Sequence, residues 1–369
     1  MPTNRAAWQP AKKAPLLEVK AAPYPPPKAN RIVVKNGAVA VNPIDWLIQS
    51  KGDIMFTWLK YPFVLGSDVA GEVVEVGKNV TRFQVGDRVL GFARGTDEKV
   101  NDSSEGAFQE YTVLVPDLTA HIPSSLSFES AAVIPLGLAT AGAGLFQQDQ
   151  LGLQLPTSPA RPPTGQTVLI WGGSTSVGSN AIQLAVAAGY EVFTTASRKN
   201  FEYAAKLGAA KVFDYRSGSV TQDIIRAFKG RTSAGALAIG QGGAEACMEV
   251  LDHVQGRKFI ALASYPVPQE EPKRLVMLRT IIFFVSWIIS FKFKGLLKGI
   301  KSNFIFATSV NHNGIGKALF VDFLPDALRA GEFVPAPDAQ VAGKGLESIQ
   351  TAFEQQKQGV SAKKIVVSL

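Results

Sequence analysis

The residues best suited by type and spacing to do chemistry lie in the run TVLIWGGSTSVGSNAIQLA, from Thr167 to Ala185. An apolar, β-branched run ends at Gly172 and Gly173, short side chains follow, and Gly178 opens a stretch with helical apolar spacing. A strand, a tight turn and a helix in that order suit a pyrophosphate. Small residues let the backbone come close, and the free N–H groups of the first helical turn face the negative charge. Gly173, Ser174, Thr175, Ser176 and Val177 are therefore the expected phosphate-side residues, the other reading being a plain tight turn. About twenty residues farther on, an NAD-specific Rossmann protein carries a carboxylate for the ribose hydroxyls. Ser197, Arg198 and Lys199 stand there instead. These groups would hold a 2′-phosphate that a carboxylate would repel, so NADPH is the expected cofactor. Alternatively, Arg198 and Lys199 only solvate a helix start. Tyr215, in VFDYR, is expected at the end of the next strand, over the same phosphate or the adenine.

Positioning such a turn takes a parallel sheet, and the sequence around it alternates accordingly. TVLIWGG, EVFTTAS and AKVFDY read as strands; SVGSNAIQLAVAAG, NFEYAAKLG and VTQDIIRAFKG read as helices between and after them. Repeated β-α-β order implies a doubly wound α/β sheet. Upstream, RIVVKNGAVAVNP, DVAGEVVEVG and VGDRVLGF are short β-branched runs separated by glycine-rich turns, which predicts a mainly antiparallel region. Helical structure is expected from about Phe128 to Phe146, and the four prolines of GLQLPTSPARPPTG predict a loop. The chain closes with a helix in LESIQTAFEQQKQG and a strand in KKIVVSL, which is expected to return to the first region.

With 369 residues, two domains are expected, and 46% hydrophobic against 18% charged residues argues for a folded chain. The net charge of +8 comes from Lys and Arg spread along the chain, so no nucleic-acid partner is expected, although the charge favours an anionic small molecule. Cys247 is the only cysteine, which excludes an intramolecular disulfide and a cysteine-rich metal site. The opening MPTNRAAWQP lacks the apolar core of a signal peptide, so the expected location is the cytoplasm. Thr280 to Phe291 is the most apolar stretch. Bounded by Arg279 and Lys292, it is read as too short for a membrane span and as a buried strand or helix; contact with a membrane surface or an acyl chain is the alternative.

NPIDW (Asn42 to Trp46), GSDVAGEVVEVG (Gly66 to Gly77), VGDRV (Val85 to Val89), EGAFQEY (Glu105 to Tyr111) and LESIQTAFEQQKQGVSAKKIVV, together with the glycine turn, resemble the medium-chain dehydrogenase/reductase superfamily. Within it the chain is most similar to the zinc-independent quinone oxidoreductases and the trans-acting enoyl reductases of fungal polyketide pathways. The resemblance implies a GroES-like substrate domain at 1–135 and 315–369, with a Rossmann NADPH-binding domain at 136–314. Zinc-dependent relatives carry a catalytic Cys where this chain has Asn42, and a His followed by Glu where it has Ser67 and Asp68. Their four-cysteine structural lobe is missing, and His121, His253 and His312 are too scattered to form a cluster, so no metal is expected. Some enoyl reductases have a lysine where Leu47 stands, which leaves the proton donor unassigned. Thr175 and Ser176 replace glycines of the quinone reductases and are tolerable if their hydroxyls bind phosphate.

The resemblance implies an NADPH-dependent reductase that transfers hydride to an activated C=C bond of an enoyl thioester or enone in secondary (polyketide) metabolism. The alternatives are a quinone oxidoreductase and a non-catalytic NADPH-binding protein. Asn42, Asp45 and Thr140 are the candidate catalytic polar groups, with turn and packing roles as the competing readings. A small-molecule or carrier-bound acyl substrate, with a polyketide synthase as its carrier, is the expected partner.

Overall fold

The structure, a computed structural model, describes residues 3–266 and 276–369. It divides into two compact units, Met1–Ala139 with Thr308–Leu369, and Thr140–Ala307. The division thus falls at 139/140 and 307/308, the first point lying inside a helix, whereas the sequence boundaries were set at 135/136 and 314/315.

The first unit begins with β1 (Asn4–Gln9), β2 (Glu18–Ala22) and β3 (Ile32–Ala40). Helix α1 (Pro43–Met55) follows, then β4 (Phe63–Val64), β5 (Asp68–Val76), β6 (Arg88–Phe92), β7 (Tyr111–Leu114) and β8 (Thr119–His121). Strands β2-β1-β4 form a small antiparallel sheet. The larger seven-stranded sheet includes two strands from the far end of the chain. Its centre is the antiparallel pair β3 and β5, both rich in buried valine. The two strands approach closely at Gly71, where a Cβ would lie 2.1 Å from the Lys35 carbonyl oxygen, so only glycine fits. The EGAFQEY motif is structural: Glu105 is buried and paired with Arg31 and Arg94 at 3.3 and 2.7 Å.

The expected helix from Phe128 to Phe146 is two helices, α2 (Phe128–Ala131) and α3 (Pro135–Phe146). Pro135 has no N–H to donate and disfavours helical backbone before it, so the break falls there.

The second unit holds β9 (Gln166–Trp171), α4 (Ser176–Ala187), β10 (Glu191–Ala196), α5 (Phe201–Lys206), β11 (Lys211–Asp214), α6 (Val220–Ala227) and β12 (Thr232–Ala238). It continues through α7 (Gly243–His253), β13 (Phe259–Leu262), α8 (Val276–Leu297) and β14 (Lys301–Phe304). Every strand pair is parallel, in the order β11-β10-β9-β12-β13-β14. This is the doubly wound arrangement, and its order reverses between β9 and β12. From Thr167 to Trp171 β9 is buried at every position, as a central parallel strand covered on both faces must be.

Helix α8 corrects the reading of the apolar stretch at 280–291. It is 22 residues long, and Arg279 and Lys292 sit within it rather than at its ends. Their long side chains leave from an exposed surface, so a helix tolerates them. Nor is the segment buried, for only 11% of Leu278–Leu297 is.

The chain returns to the first unit through α9 (Ile315–Lys317), α10 (Leu324–Ala330), β15 (Asp338–Lys344), α11 (Ser348–Lys357) and β16 (Lys363–Ser368). β16 pairs antiparallel with β3 and parallel with β15, which completes the large sheet.

Candidate active site and dinucleotide site

Three adjacent strands of the first unit bring together residues far apart in sequence. The Val41 N–H donates to the Ile365 carbonyl at 2.9 Å, which sets Lys364 of β16 beside Asn42 just after β3. The β3–β5 register pairs Ala40 with Asp68, the first residue of β5. The result is a closed polar cluster. Lys364 Nζ donates to Asn42 Oδ1 at 2.5 Å and lies 2.9 Å from Asp68 Oδ2. Asn42 Nδ2 donates to the same Asp68 oxygen at 2.7 Å, and the Leu136 N–H donates to Asp68 Oδ1 at 2.6 Å. Asn42, Asp68 and Lys364 are all buried. A lysine and a carboxylate can share such a place because each is both paired and hydrogen-bonded. The Asn42 amide keeps a second N–H with no partner among the described residues.

Asp45 plays a different part. Its carboxylate accepts the Asn42 backbone N–H at 2.8 Å while its own N–H donates back to the Asn42 carbonyl at 3.1 Å, closing the first turn of α1. Burial, helped by the nearby Asp68 and opposed by the Asn42 N–H and the Lys364 charge, pushes this carboxyl up to about 7. Asp45 is 1% exposed and caps the helix, the turn role that stood beside the catalytic one in the sequence. Ser67 is also buried. Thr140 is half-buried on α3 and falls in the second unit.

In the second unit the glycine turn has the form a dinucleotide needs. Gly172 adopts φ +91° at the end of β9, and a Cβ on Gly178 would meet the Gly172 carbonyl oxygen at 2.2 Å. Only glycine at 178 lets the start of α4 press against the turn. The Thr175 hydroxyl accepts from the Gly178 N–H at 3.0 Å and donates to the Gly172 carbonyl at 2.8 Å. It is therefore engaged in capping α4. The Ser176 hydroxyl, by contrast, is buried without a hydrogen-bond partner. An orphaned hydroxyl in the first turn of a twelve-residue helix, among its free N–H groups, fits a pyrophosphate oxygen.

At the carboxyl ends of β10 and β11, Ser197 is buried while Arg198 and Lys199 are exposed. Arg198 Nε lies 3.1 Å from Asp214 Oδ2 at the end of β11, a pairing the sequence reading missed. That carboxylate is further held by the Arg216 N–H at 3.0 Å. Tyr215 is exposed beside it, with the Arg216 guanidinium 5.4 Å from its ring centre. Arg216 thus joins Arg198 and Lys199 as a third cation at this edge. It was adjacent to a named candidate, but nothing in its spacing marked it.

Beyond the ends of β12 and β13 lies a cavity of about 340 Å³, lined by residues including Gly240, Glu245, Ser264, Tyr265, Phe283 and Trp287. It opens on the strand edge where doubly wound sheets bind their ligands. The three histidines all serve other ends: His121 pairs with Asp87, His312 with Asp97, and His253 Nδ1 meets the Glu249 carbonyl. Among the described residues no group of three or more His, Cys, Asp or Glu side chains is arranged to hold a metal ion.

An antiparallel domain and a doubly wound parallel sheet with a glycine turn are an architecture that dinucleotide-dependent oxidoreductases use. The chain belongs to the medium-chain dehydrogenase/reductase superfamily: residues 28–124 match the alcohol dehydrogenase GroES-like domain, and residues 176–264 match the zinc-binding dehydrogenase model. It is 48% identical to the dehydrogenase azaJ of Aspergillus niger over the full length of both chains. It is 36% identical to the trans-enoyl reductase himH of Aspergillus japonicus, covering 99% of this chain and 97% of that one. Among solved structures, an alcohol dehydrogenase superfamily protein from Novosphingobium aromaticivorans superposes over 100% of both chains with a TM-score of 0.74 at 24% identity.

Proposed function

We propose that this oxidoreductase is an NADPH-dependent reductase of an activated carbon–carbon double bond, in an enoyl thioester or an enone, working without zinc in secondary metabolism. The observation that carries the reading is the cluster around Asn42. In zinc-dependent members of the superfamily a thiolate and an imidazole stand at positions 42 and 67. Here a carboxamide and a hydroxyl do, and the nearest charges, Lys364 and Asp68, already neutralise each other. Tetrahedral zinc takes its ligands from sulfur, imidazole and carboxylate groups, and a buried ammonium ion beside Asn42 repels a dication.

Without a metal to polarise an alcohol, reduction of a conjugated double bond is the chemistry that asks least of the protein. Negative charge moves onto the substrate carbonyl oxygen, where a neutral N–H can meet it. Asn42 offers its second N–H, and Lys364 and Asp68 hold the amide in the orientation that presents it. NADPH, when bound, would supply the hydride; Ser176 and the start of α4 would hold its pyrophosphate, while Ser197, Arg198, Lys199, Tyr215 and Arg216 would surround its 2′-phosphate. The name of the himH relative agrees with this substrate class; among the more similar relatives azaJ is named a dehydrogenase and cipB of Emericella nidulans a zinc-binding alcohol dehydrogenase domain-containing protein. A carrier-bound acyl chain delivered by a polyketide synthase in the cytoplasm is the substrate form we favour.

The test is cofactor oxidation by the purified protein with enoyl thioesters, enones, quinones and alcohols, alongside elemental analysis. The reading expects turnover with the first two and activity that survives a chelator. About one zinc per chain lost together with activity, or turnover with quinones alone, would overturn it.

A further inference from the structure

Helix α8 carries an apolar face on each side, and among the described residues only one of them has a partner. On the inner side Phe284, Trp287, Phe291 and Gly295 recur at helical spacing against the parallel-sheet domain. Trp287 stacks on Phe291 with ring centres 4.6 Å apart, and its Nε1–H donates to Glu245 at 2.7 Å. Phe291 is in the core, and a Cβ on Gly295 would sit 2.6 Å from the Ile300 carbonyl oxygen. The helix is thus seated on its own domain. On the opposite side Ile282, Val285, Ile289, Phe293 and Leu296 form a continuous stripe, three to four residues apart. All five are exposed, Ile289 by 64% and Leu296 by 77%. At about 1.5 Å per residue this stripe is on the order of 20 Å long.

The charges at this helix indicate what covers the stripe. From Val276 to Lys301 the sequence contains Arg279, Lys292, Lys294, Lys298 and Lys301 and no acidic residue. Lys298 is paired with Asp252, and Lys292 donates to the Ser302 carbonyl; Arg279, Lys294 and Lys301 are exposed. A second copy of the chain packed stripe to stripe would bring two such basic sets together with no carboxylate from either helix between them. An anionic lipid surface offers hydrocarbon to the stripe and negative headgroups to the cations that flank it, Arg279 and Lys292. By length and composition alone α8 could cross a bilayer. Its inner face, however, is committed to Glu245, Phe291 and the Ile300 backbone, so the orientation open to it is flat in the interface.

We infer that α8 docks this protein onto anionic membrane surfaces, with the Ile282 to Leu296 stripe in the acyl boundary and Arg279 and Lys292, which flank it on the helix, at the headgroups. This docking does not depend on the proposed reaction. The inner residues Phe283 and Trp287 of the same helix line the cavity at the strand ends, so docking sets that cavity close to the lipid.

The experiment is flotation of the full chain with two vesicle preparations, phosphatidylcholine alone and phosphatidylcholine with about one-third phosphatidylserine. The wild type should float with the phosphatidylserine vesicles and be partly released by salt. Ile289→Glu combined with Phe293→Glu should lose at least about tenfold in partitioning. Arg279→Gln should lose about fivefold, and on the anionic vesicles only. Both variants should keep the wild-type melting temperature, because the altered side chains are exposed. Failure of the wild type to float with either preparation, or flotation unaffected by the paired glutamates, would overturn the inference. So would a concentration-dependent dimer in sedimentation that those glutamates dissociate, since a second copy would then cover the stripe.

Discussion

Two ion pairs of similar length lie in opposite surroundings. Lys364 and Asp68 are 2.9 Å apart with side chains 5% and 0% exposed; Arg198 and Asp214 are 3.1 Å apart with the arginine 85% exposed. Water screens the second pair, so breaking it frees a cation that a phosphate can take over. The first pair has no such substitute, and losing either member strands a buried charge. One pair is part of the fold's interior and fixes the Asn42 amide. The other is an open, exchangeable contact suited to a ligand that comes and goes.

The largest effect expected from this contrast is on stability. Lys364→Met should cost about 3–5 kcal/mol, the range for an orphaned buried partner, whereas Arg198→Ala should cost at most about 1 kcal/mol. Urea unfolding of the two variants checks it, and equal losses would dissolve the distinction. Pairing Lys364→Met with Asp68→Leu should recover much of the stability, because no charge is then left alone.

Next comes the pH response of Asp45. Its carboxyl rises from 3.8 to about 7 on folding, so between those values the folded protein holds a proton that the unfolded chain releases. Stability from this group is therefore fully present below pH 4 and is lost as the pH rises toward 7 and beyond. Asp45→Asn keeps an oxygen to accept the Asn42 N–H and removes the titration. Relative to wild type it should gain stability between pH 4 and pH 8, by about 4 kcal/mol at most. Parallel stability curves for the two proteins would place the Asp45 carboxyl near its ordinary value.

The open site gives smaller, selective effects. Arg198→Ala with Lys199→Ala should weaken NADPH by about 1–3 kcal/mol and leave NADH almost unchanged, as titration calorimetry can measure. Ser176→Ala should weaken both cofactors by about 1 kcal/mol, since a pyrophosphate is common to them. Equal losses of NADPH and NADH in the first variant would put the 2′-phosphate elsewhere.

The two sites also differ in how much of them could be read in advance. The glycine turn is local: a strand end, a turn and a helix start within twelve residues, so its pattern survives in one stretch of sequence. Asn42, Asp68 and Lys364 are joined only by sheet register, across 26 and 322 positions, and Lys364 lay unremarked in KKIVVSL. Composition misled in a related way. Phe128–Phe146 and Leu278–Leu297 have mean hydropathies of 1.3 and 1.6, yet 72% of the first and 11% of the second are buried. The first is built of Ala, Gly and Leu, which pack closely. The second carries bulky apolar residues on both faces, and among the described residues only its inner face is packed. The parallel sheet was legible because β and α segments alternate along the chain; the hydroxyl of Thr175 was not, because its capping bond depends on local backbone geometry.

The central claim, that the Asn42 amide serves reduction of a conjugated double bond, is tested most directly by following a label. With NADPH deuterated at the transferable position and an enoyl thioester as substrate, the saturated product should carry deuterium at the β-carbon and solvent hydrogen at the α-carbon. Deuterium on a carbinol carbon would contradict the account and make the protein a carbonyl reductase.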